Sequence, residues 1–284
     1  MKRHKICKII FAILAVFLCV AFYELIGICV TYKKQPAVSD ATIKETQNIM
    51  SVAGRENTER AVIIEKNSQA LLERVRLIQN AKDEIILSTF AFKSDESGKL
   101  ILGALHDAAD RGVHVRILVD GMESWIDMEG NPYFYGLSSH ENVEIKLYNK
   151  ANPLKPWKTM GRMHDKYLIA DGKIYILGGR NTYNYFLGDF PGHKNFDRDV
   201  LVVCDEPQKD NSVNQLWNYF ETIWEQEDCR YFHNSKKLAD RQSVKKAVLE
   251  LQEGYQQYFE VNKEKICDTD YADETFETEK IISV

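Results

Sequence analysis

The sequence predicts an α/β domain carried on one membrane-spanning helix. From residue 61 onward, short β-rich runs alternate with stretches of helical periodicity. The strand runs are apolar along their length, as expected of strands covered on both faces. Upstream, residues 9–23 form an unbroken apolar and aromatic run that resumes after Glu24 and ends at Val30.

Composition bounds the answer. With 284 residues, 44% hydrophobic and 28% charged, the chain is not a disordered tail, a collagen or a polytopic membrane protein, and it has room for one large domain or two small ones. Six cysteines are too few for a disulfide scaffold, and Cys204, Cys229 and Cys267 follow no zinc-ligand spacing. The net charge of −5 conceals an asymmetry: residues 1–34 carry six Lys/Arg against Glu24 alone, whereas residues 206–284 carry 10 bases against 17 acids. So acidic a body is a poor general binder of nucleic acid, because that affinity comes mainly from neutralising phosphates.

Residues 9–30 would make about 33 Å of helix, enough for the ~30 Å hydrocarbon layer. Glu24 interrupts the run six residues from its far end, where it can face the interface or be protonated. The tail 1–8 carries Lys2, Arg3, Lys5 and Lys8, so the positive-inside rule keeps the N-terminus in the cytoplasm; Lys33 and Lys34 pull the other way. A cleaved signal peptide is the competing reading. No A-x-A-like site follows the run, and neither Cys19 nor Cys29 follows the small residues of a lipoprotein site. The expectation is an uncleaved, single-pass signal anchor in the cell membrane with the body outside the cytoplasm.

Residues 31–60 read as a polar stalk. Ala61–Glu65 is a short strand, and Ser68 can cap a helix over Gln69–Ala81 that places Leu71, Leu72, Val75 and Ile78 on one face. Glu84–Phe92 is a strand; Gly98–Arg111 is a helix closed by Gly112. Val113–Asp120 is the next strand, followed by an aromatic loop (Trp125, Tyr133, Phe134, Tyr135) that suits a membrane-facing lip or ordinary packing equally. Val143–Tyr148, Lys166–Ala170 and Lys173–Leu177 follow as strands, the last two turning at Asp171-Gly172, and Asp199–Cys204 completes the set. Beyond Pro207 the character becomes helical: Val213–Glu227, with Trp217 and Trp224 as core residues, then Ser235–Phe259. Residues 206–278 therefore read as a helical linker whose acidic end, Asp268–Glu279, is solvated, and residues 279–284 as the start of a fresh strand.

The chemistry concentrates in Gly161-Arg-Met-His-Asp-Lys-Tyr-Leu-Ile-Ala-Asp171, where His164, Lys166 and Asp171 are spaced H-x-K-x4-D, and in Gly178-Gly179-Arg180-Asn181. Two residues apart on a strand, His164 and Lys166 share a face, which sets a nucleophile or proton carrier beside a fixed cation. An imidazole can attack phosphorus and form a covalent phosphohistidine, while Lys166 and the Asn181 amide hold the non-bridging oxygens. This chemistry needs no metal and no cofactor. His4, His106, His114, His140, His193 and His233 read as solvated or hydrogen-bonded structural residues; His193, in the loop before Asp199, is the likeliest exception among them.

H-x-K-x4-D alone is a weak signal. Joined to G-G-x-N ten residues after its Asp, on a strand pair, it is specific and resembles the phospholipase D superfamily, the HKD proteins, which include phospholipases D, cardiolipin synthases and small endonucleases. Arg111–Gly121 and Ala81–Phe92 resemble the N-terminal half of the same superfamily, and the resemblance covers residues 61–205 well. It implies a phospholipase D-like α-β-α sandwich with a mixed sheet. It implies that His164 is the nucleophile or acid/base partner, that Lys166, Asn181 and Gly179 form the phosphate site, and that Asp171 supports. It further implies a carboxylate at the opening of a later strand that orients His164; Asp199 is the choice here, with Asp197 the alternative.

Such a site uses two histidines, one to attack and one to protonate the leaving oxygen, and this chain has one HKD set. Either two chains pair about a two-fold axis or a second homologous half lies after residue 284; the linker and the strand begun at Ile281 favour the second half. The function implied is a membrane-anchored phosphodiesterase or phosphatidyltransferase acting on phospholipid. The alternatives are a dimeric single-HKD endonuclease, or an inactive half that binds a partner.

Overall fold

The computed structural model describes residues 2–33, 39–44, 59–150, 152, 154–158, 160–204, 211–233, 235–278 and 281. Helix α1 (Lys2–Lys33) is long and apolar enough over His4–Val30 to cross a membrane. The stalk falls mostly outside the described residues, as does the segment 279–284 apart from Ile281.

Nine strands form one mixed sheet: β1 (Glu59–Ile64), β2 (Glu84–Thr89), β3 (His114–Asp120), β4 (Val143–Tyr148), β5 (Lys166–Ala170), β6 (Ile174–Gly178), β7 (Asp199–Cys204), β8 (Cys229–Tyr231) and β9 (Phe276–Glu277). Their spatial order is β8-β4-β3-β2-β5-β6-β7-β1-β9. Strands β2, β3 and β4 are mutually parallel, and every other neighbouring pair is antiparallel.

Strand alternation explains why these runs carry no polar face. In β2, Ile85 and Leu87 enter one core while Ile86 enters the other; Leu168 and Ala170 against Tyr167 and Ile169, and Leu201 and Val203 against Val202 and Cys204, divide the same way. The first face is covered by α2 (Asn67–Asn80), α3 (Glu96–Asp110), α5 (Pro132–Ser138) and α8 (Gln242–Cys267). The second is covered by α6 (Ser212–Trp224), which inserts Val213, Leu216, Phe220 and Trp224. The result is the expected α-β-α sandwich.

Local chemistry sets the boundaries. Asp95 caps α3 by accepting from the Gly98 N–H, and Gly112, with φ +93°, ends it in the left-handed conformation expected of a C′ glycine. At Gly103, α3 meets α8 so closely that a Cβ there would lie 2.6 Å from the Leu251 carbonyl oxygen. The Asp171-Gly172 hairpin turn has φ of +52° and +60°, the two positive values of a type I′ turn.

Several sequence expectations are corrected. Ser68 does not cap α2: the helix begins at Asn67, whose side chain is bound to Arg180 and to the Asn195 carbonyl, so a tertiary contact sets the start. The aromatic loop is largely helical, as α4 (Gly121–Asp127) and α5, the latter capped by Asn131 with Pro132 at its first position. Phe134 and Tyr135 are core while Trp125 is exposed. The helix expected over Ser235–Phe259 is broken after α7 (Lys236–Ala239) and resumes as α8 to Cys267.

The acids at the end of the expected linker are exposed, as expected of a solvated face, but the stretch is anchored to the sheet. Tyr271 and Thr275 are buried, Arg76 binds the Asp268 carbonyl and Glu274, Arg60 binds the Ala272 and Thr275 carbonyls, and β9 pairs with β1. Two arginines thus hold an acidic stretch whose last two paired residues, Phe276 and Glu277, edge the sheet.

Candidate active site

The sequence-picked residues other than Asp171 lie at the end of the sheet where the parallel strands finish, the usual ligand-binding end of an open α/β sheet. Thr89, last in β2, pairs with Lys166, first in β5; Asp120 closes β3; Gly178, last in β6, pairs with Asp199, first in β7. The antiparallel reversals bring the two halves of the motif back to one edge.

Lys166 is 6% exposed. Its Nζ donates to the His164 carbonyl at 2.5 Å and lies 5.4 Å from the centre of the Phe90 ring. Burial pulls the ammonium below its ordinary pKa, opposed by the charges of Asp165 and Asp197. The His164 ring packs edge-on against Phe90, centroids 4.6 Å apart at 61°. Neither ring nitrogen has a hydrogen-bond partner among the described residues. Desolvation first, then Lys166, push the imidazole below its ordinary pKa; Asp165 opposes them, and the smaller effects of Arg162, downward, and Asp120, upward, follow. The neutral ring, the form with a free lone pair, is thereby favoured.

Arg162 is fixed rather than mobile. Its Nε donates to both oxygens of buried Asp120 at 3.0 Å, and its Nη2 to Asp120 Oδ1 at 2.7 Å and Glu123 Oε1 at 3.0 Å. The guanidinium lies 5.0 Å from the Phe90 ring centre. Phe90 therefore carries His164, Arg162 and Lys166 around one aromatic ring. Sequence reasoning missed Phe90, Arg162 and Asp120. Arg162 stands two residues before His164 as Lys166 stands two after, but β5 begins only at Lys166, so His164 lies ahead of the strand on which the sequence placed it.

Each residue of the G-G-x-N element has a distinct task. A Cβ on Gly178 would overlap Asp199, and one on Gly179 would lie 2.5 Å from Asp197 Cγ, so each glycine makes room for a carboxylate. Arg180, 1% exposed, donates to the Ile64 and Glu65 carbonyls and lies 3.3 Å from Asp199 Oδ2. Asn181 accepts from the Ala91 N–H at 3.1 Å through its amide oxygen. That bond turns the oxygen inward and leaves the amide NH2 with no protein partner among the described residues.

Two expected site residues do not join His164. Asp171 sits at the far end of β5, where its carboxylate accepts the backbone N–H groups of Lys82, Asp83 and Glu84. Asp199 does not contact His164: its Oδ2 is taken by Arg74 Nη1 at 2.9 Å and by Arg180, all three groups being buried. The alternative, Asp197, faces Gly179 and acts electrostatically on Lys166. The remaining histidines of the body are occupied structurally: His106 and His140 share Asp110, His114 lies beside Glu144, His233 beside Glu129, and His193 against the Tyr185 ring. A cavity of about 730 Å³ between α2 and α8 holds none of the residues that carry the chemistry.

Residues 75–224, a little over half of the chain, match the family described as cardiolipin synthase, PLD-like domain. The protein belongs to that family, within the phospholipase D superfamily. It is 33% identical over 181 residues to an uncharacterised protein of Helicobacter pylori, covering 59% of this chain and 35% of the relative. It is 29% identical over 154 residues to cardiolipin synthase C of Escherichia coli, covering 49% of this chain and 31% of the relative. The chain thus spans about a third of the length of these curated relatives. Among solved structures, the phosphatidylserine synthase of Haemophilus influenzae shares the fold, with a TM-score of 0.51 at 15% identity over 77% of this chain and 48% of that one.

Proposed function

We propose that this protein is a membrane-anchored phospholipase D-type phosphodiesterase or phosphatidyltransferase that acts on phospholipid through His164. The observation that carries the reading is the assembly, at one end of the sheet, of an imidazole and an amide NH2 that have no protein partner among the described residues, beside a buried ammonium. A His164 ring nitrogen attacks phosphorus and a P–O ester bond breaks. The departing oxygen takes a proton from a second imidazole, supplied by a second copy of the chain or by a homologous half. Lys166 and Asn181 hold the non-bridging oxygens as charge moves onto them. Water or an alcohol then attacks the phosphohistidine and frees His164; water gives phosphatidic acid, and a lipid alcohol gives transfer.

The apolar helix α1 keeps the site near a bilayer, and the acidic body suits lipid better than DNA. The test is incubation of the full chain with labelled phosphatidylglycerol and, separately, with DNA, alongside His164→Ala. The expected result is lipid turnover, an acid-labile adduct at position 164, and a dead variant. DNA cleavage without lipid turnover overturns the substrate assignment.

A further inference from the structure

The segment just before His164 touches the apolar helix. Tyr23 of α1 donates its hydroxyl to the Leu154 carbonyl at 3.1 Å, and α1 packs against the single 3₁₀ turn at residues 156–158. Gly27 is the one buried residue among those described in α1, and Glu24 and Ile28, on the same side, are partly covered. Glu24, the polar break in the apolar run, therefore lies where α1 meets this loop.

That contact fixes a depth. Tyr23 precedes Val30, the end of the apolar run, by seven residues, which is about 10 Å of helix. A loop at that level reaches past the headgroups into the outer acyl-chain region, about 10 Å inside the end of the apolar run, once α1 spans a bilayer. Its surface suits the place: Leu154, Trp157 and Met160 are 79%, 44% and 51% exposed. Lys155 and Lys150 are exposed beside them, and Lys158 is paired with Asp228. Apolar side chains with a tryptophan and flanking lysines are what a membrane interface takes up, the rings entering and the ammonium groups reaching back to phosphate. Trp125 and Ile126, on the short helix whose Glu123 holds Arg162, add exposed apolar surface at the same end of the sheet.

We infer that Leu154, Trp157 and Met160 form a lip inserted into the bilayer surface beside α1, which sets His164, four residues beyond Met160, at headgroup level. The inference rests on the membrane-anchored reading above and adds to it a second, independent membrane contact. It makes the anchor part of substrate presentation, because α1 and the loop leading to the nucleophile are one packed unit.

The experiment uses the full chain in vesicles of phosphatidylglycerol and phosphatidylethanolamine. An environment-sensitive fluorescent residue is introduced at position 157, 17 or 249, one at a time. Positions 17 and 157 are expected to emit to the blue and to be quenched by brominated lipids, position 157 most strongly by lipids brominated near the headgroup. Position 249, exposed on α8, is expected to stay aqueous. Leu154→Glu with Met160→Glu is expected to return the 157 probe to aqueous emission. If 157 behaves like 249 while 17 lies in lipid, or if the double substitution leaves the 157 emission unchanged, the lip is overturned and the anchor stands. If 17 is itself aqueous, both fall.

Discussion

Gly179 leaves the space that the Asp197 carboxylate occupies: a Cβ at position 179 would lie 2.5 Å from Asp197 Cγ. Because Asp197 acts on the buried Lys166 ammonium, the missing side chain on one strand end controls a charge beside the proposed phosphate site on the next. Gly179→Ala should therefore expel Asp197 and cost about 1–3 kcal/mol through overpacking. Displacing a charge at the phosphate site should also slow phospholipid turnover by about a hundredfold. Adding Asp197→Ala should restore the stability and leave turnover low. A double-mutant cycle of denaturation midpoints and rates checks this; recovery of rate in the double variant would show that Asp197 has no part in the site.

Asp199 predicts the opposite pattern. Its carboxylate stands between two buried guanidinium groups, Arg74 and Arg180, and its Oδ1 has no hydrogen-bond partner among the described residues. Removing the carboxylate strands two charges, at a cost of about 3–5 kcal/mol. Asp199→Ala should thus lower the denaturation midpoint sharply, while any folded fraction keeps the wild-type pH dependence of His164. A pH profile displaced at unchanged stability would restore Asp199 to the orienting role that the motif implies.

Asp171 is the third member of H-x-K-x4-D, and its work is architectural. It gathers three backbone N–H groups at the entry to β2 while adopting φ +52° in the hairpin turn. Asp171→Ala loses those acceptors and places alanine in a left-handed conformation, a combined loss of about 1–3 kcal/mol. Asp171→Asn keeps an acceptor and tolerates the turn, and should lose less. Turnover per folded molecule should be unchanged in both, measured after correction for the folded fraction.

The α/β alternation, the strand set and the His164–Lys166–Asn181 group were legible because each rests on a local pattern: doubly covered strands read as continuous apolar runs, and the motif spacing is preserved by a hairpin. What was not legible depends on contacts distant in sequence. Nothing near Asp199 announces Arg74, 125 positions away, and nothing near Asp268–Glu277 announces that Arg60 and Arg76 will hold it on the sheet. The choice between Asp197 and Asp199 likewise turned on which glycine each carboxylate fills, a relation between two strand ends. Phe90 escaped notice because an aromatic residue at the end of an apolar strand looks like core.

Arg162 sets the last prediction, because its fixed charge bears on His164. In the proposed reaction, attack on phosphorus needs the neutral imidazole, whose pKa is held below its ordinary value by desolvation and by Lys166 and Arg162. Activity should accordingly persist below about pH 6.5 before it falls on the acid side. Removing a cation favours the protonated ring, so Arg162→Gln should raise the His164 pKa and move the acid limb to higher pH. Asp120, which pulls the other way, acts more weakly than Arg162 and remains held by the N–H groups of Met122, Glu123 and Met163. Titration of the His164 ring by NMR, assigned by comparison with His164→Ala, reads the shift directly and without reference to substrate. An unmoved or lowered pKa in Arg162→Gln would mean that the Asp120 pair is electrically silent at the ring and that burial alone keeps the imidazole neutral.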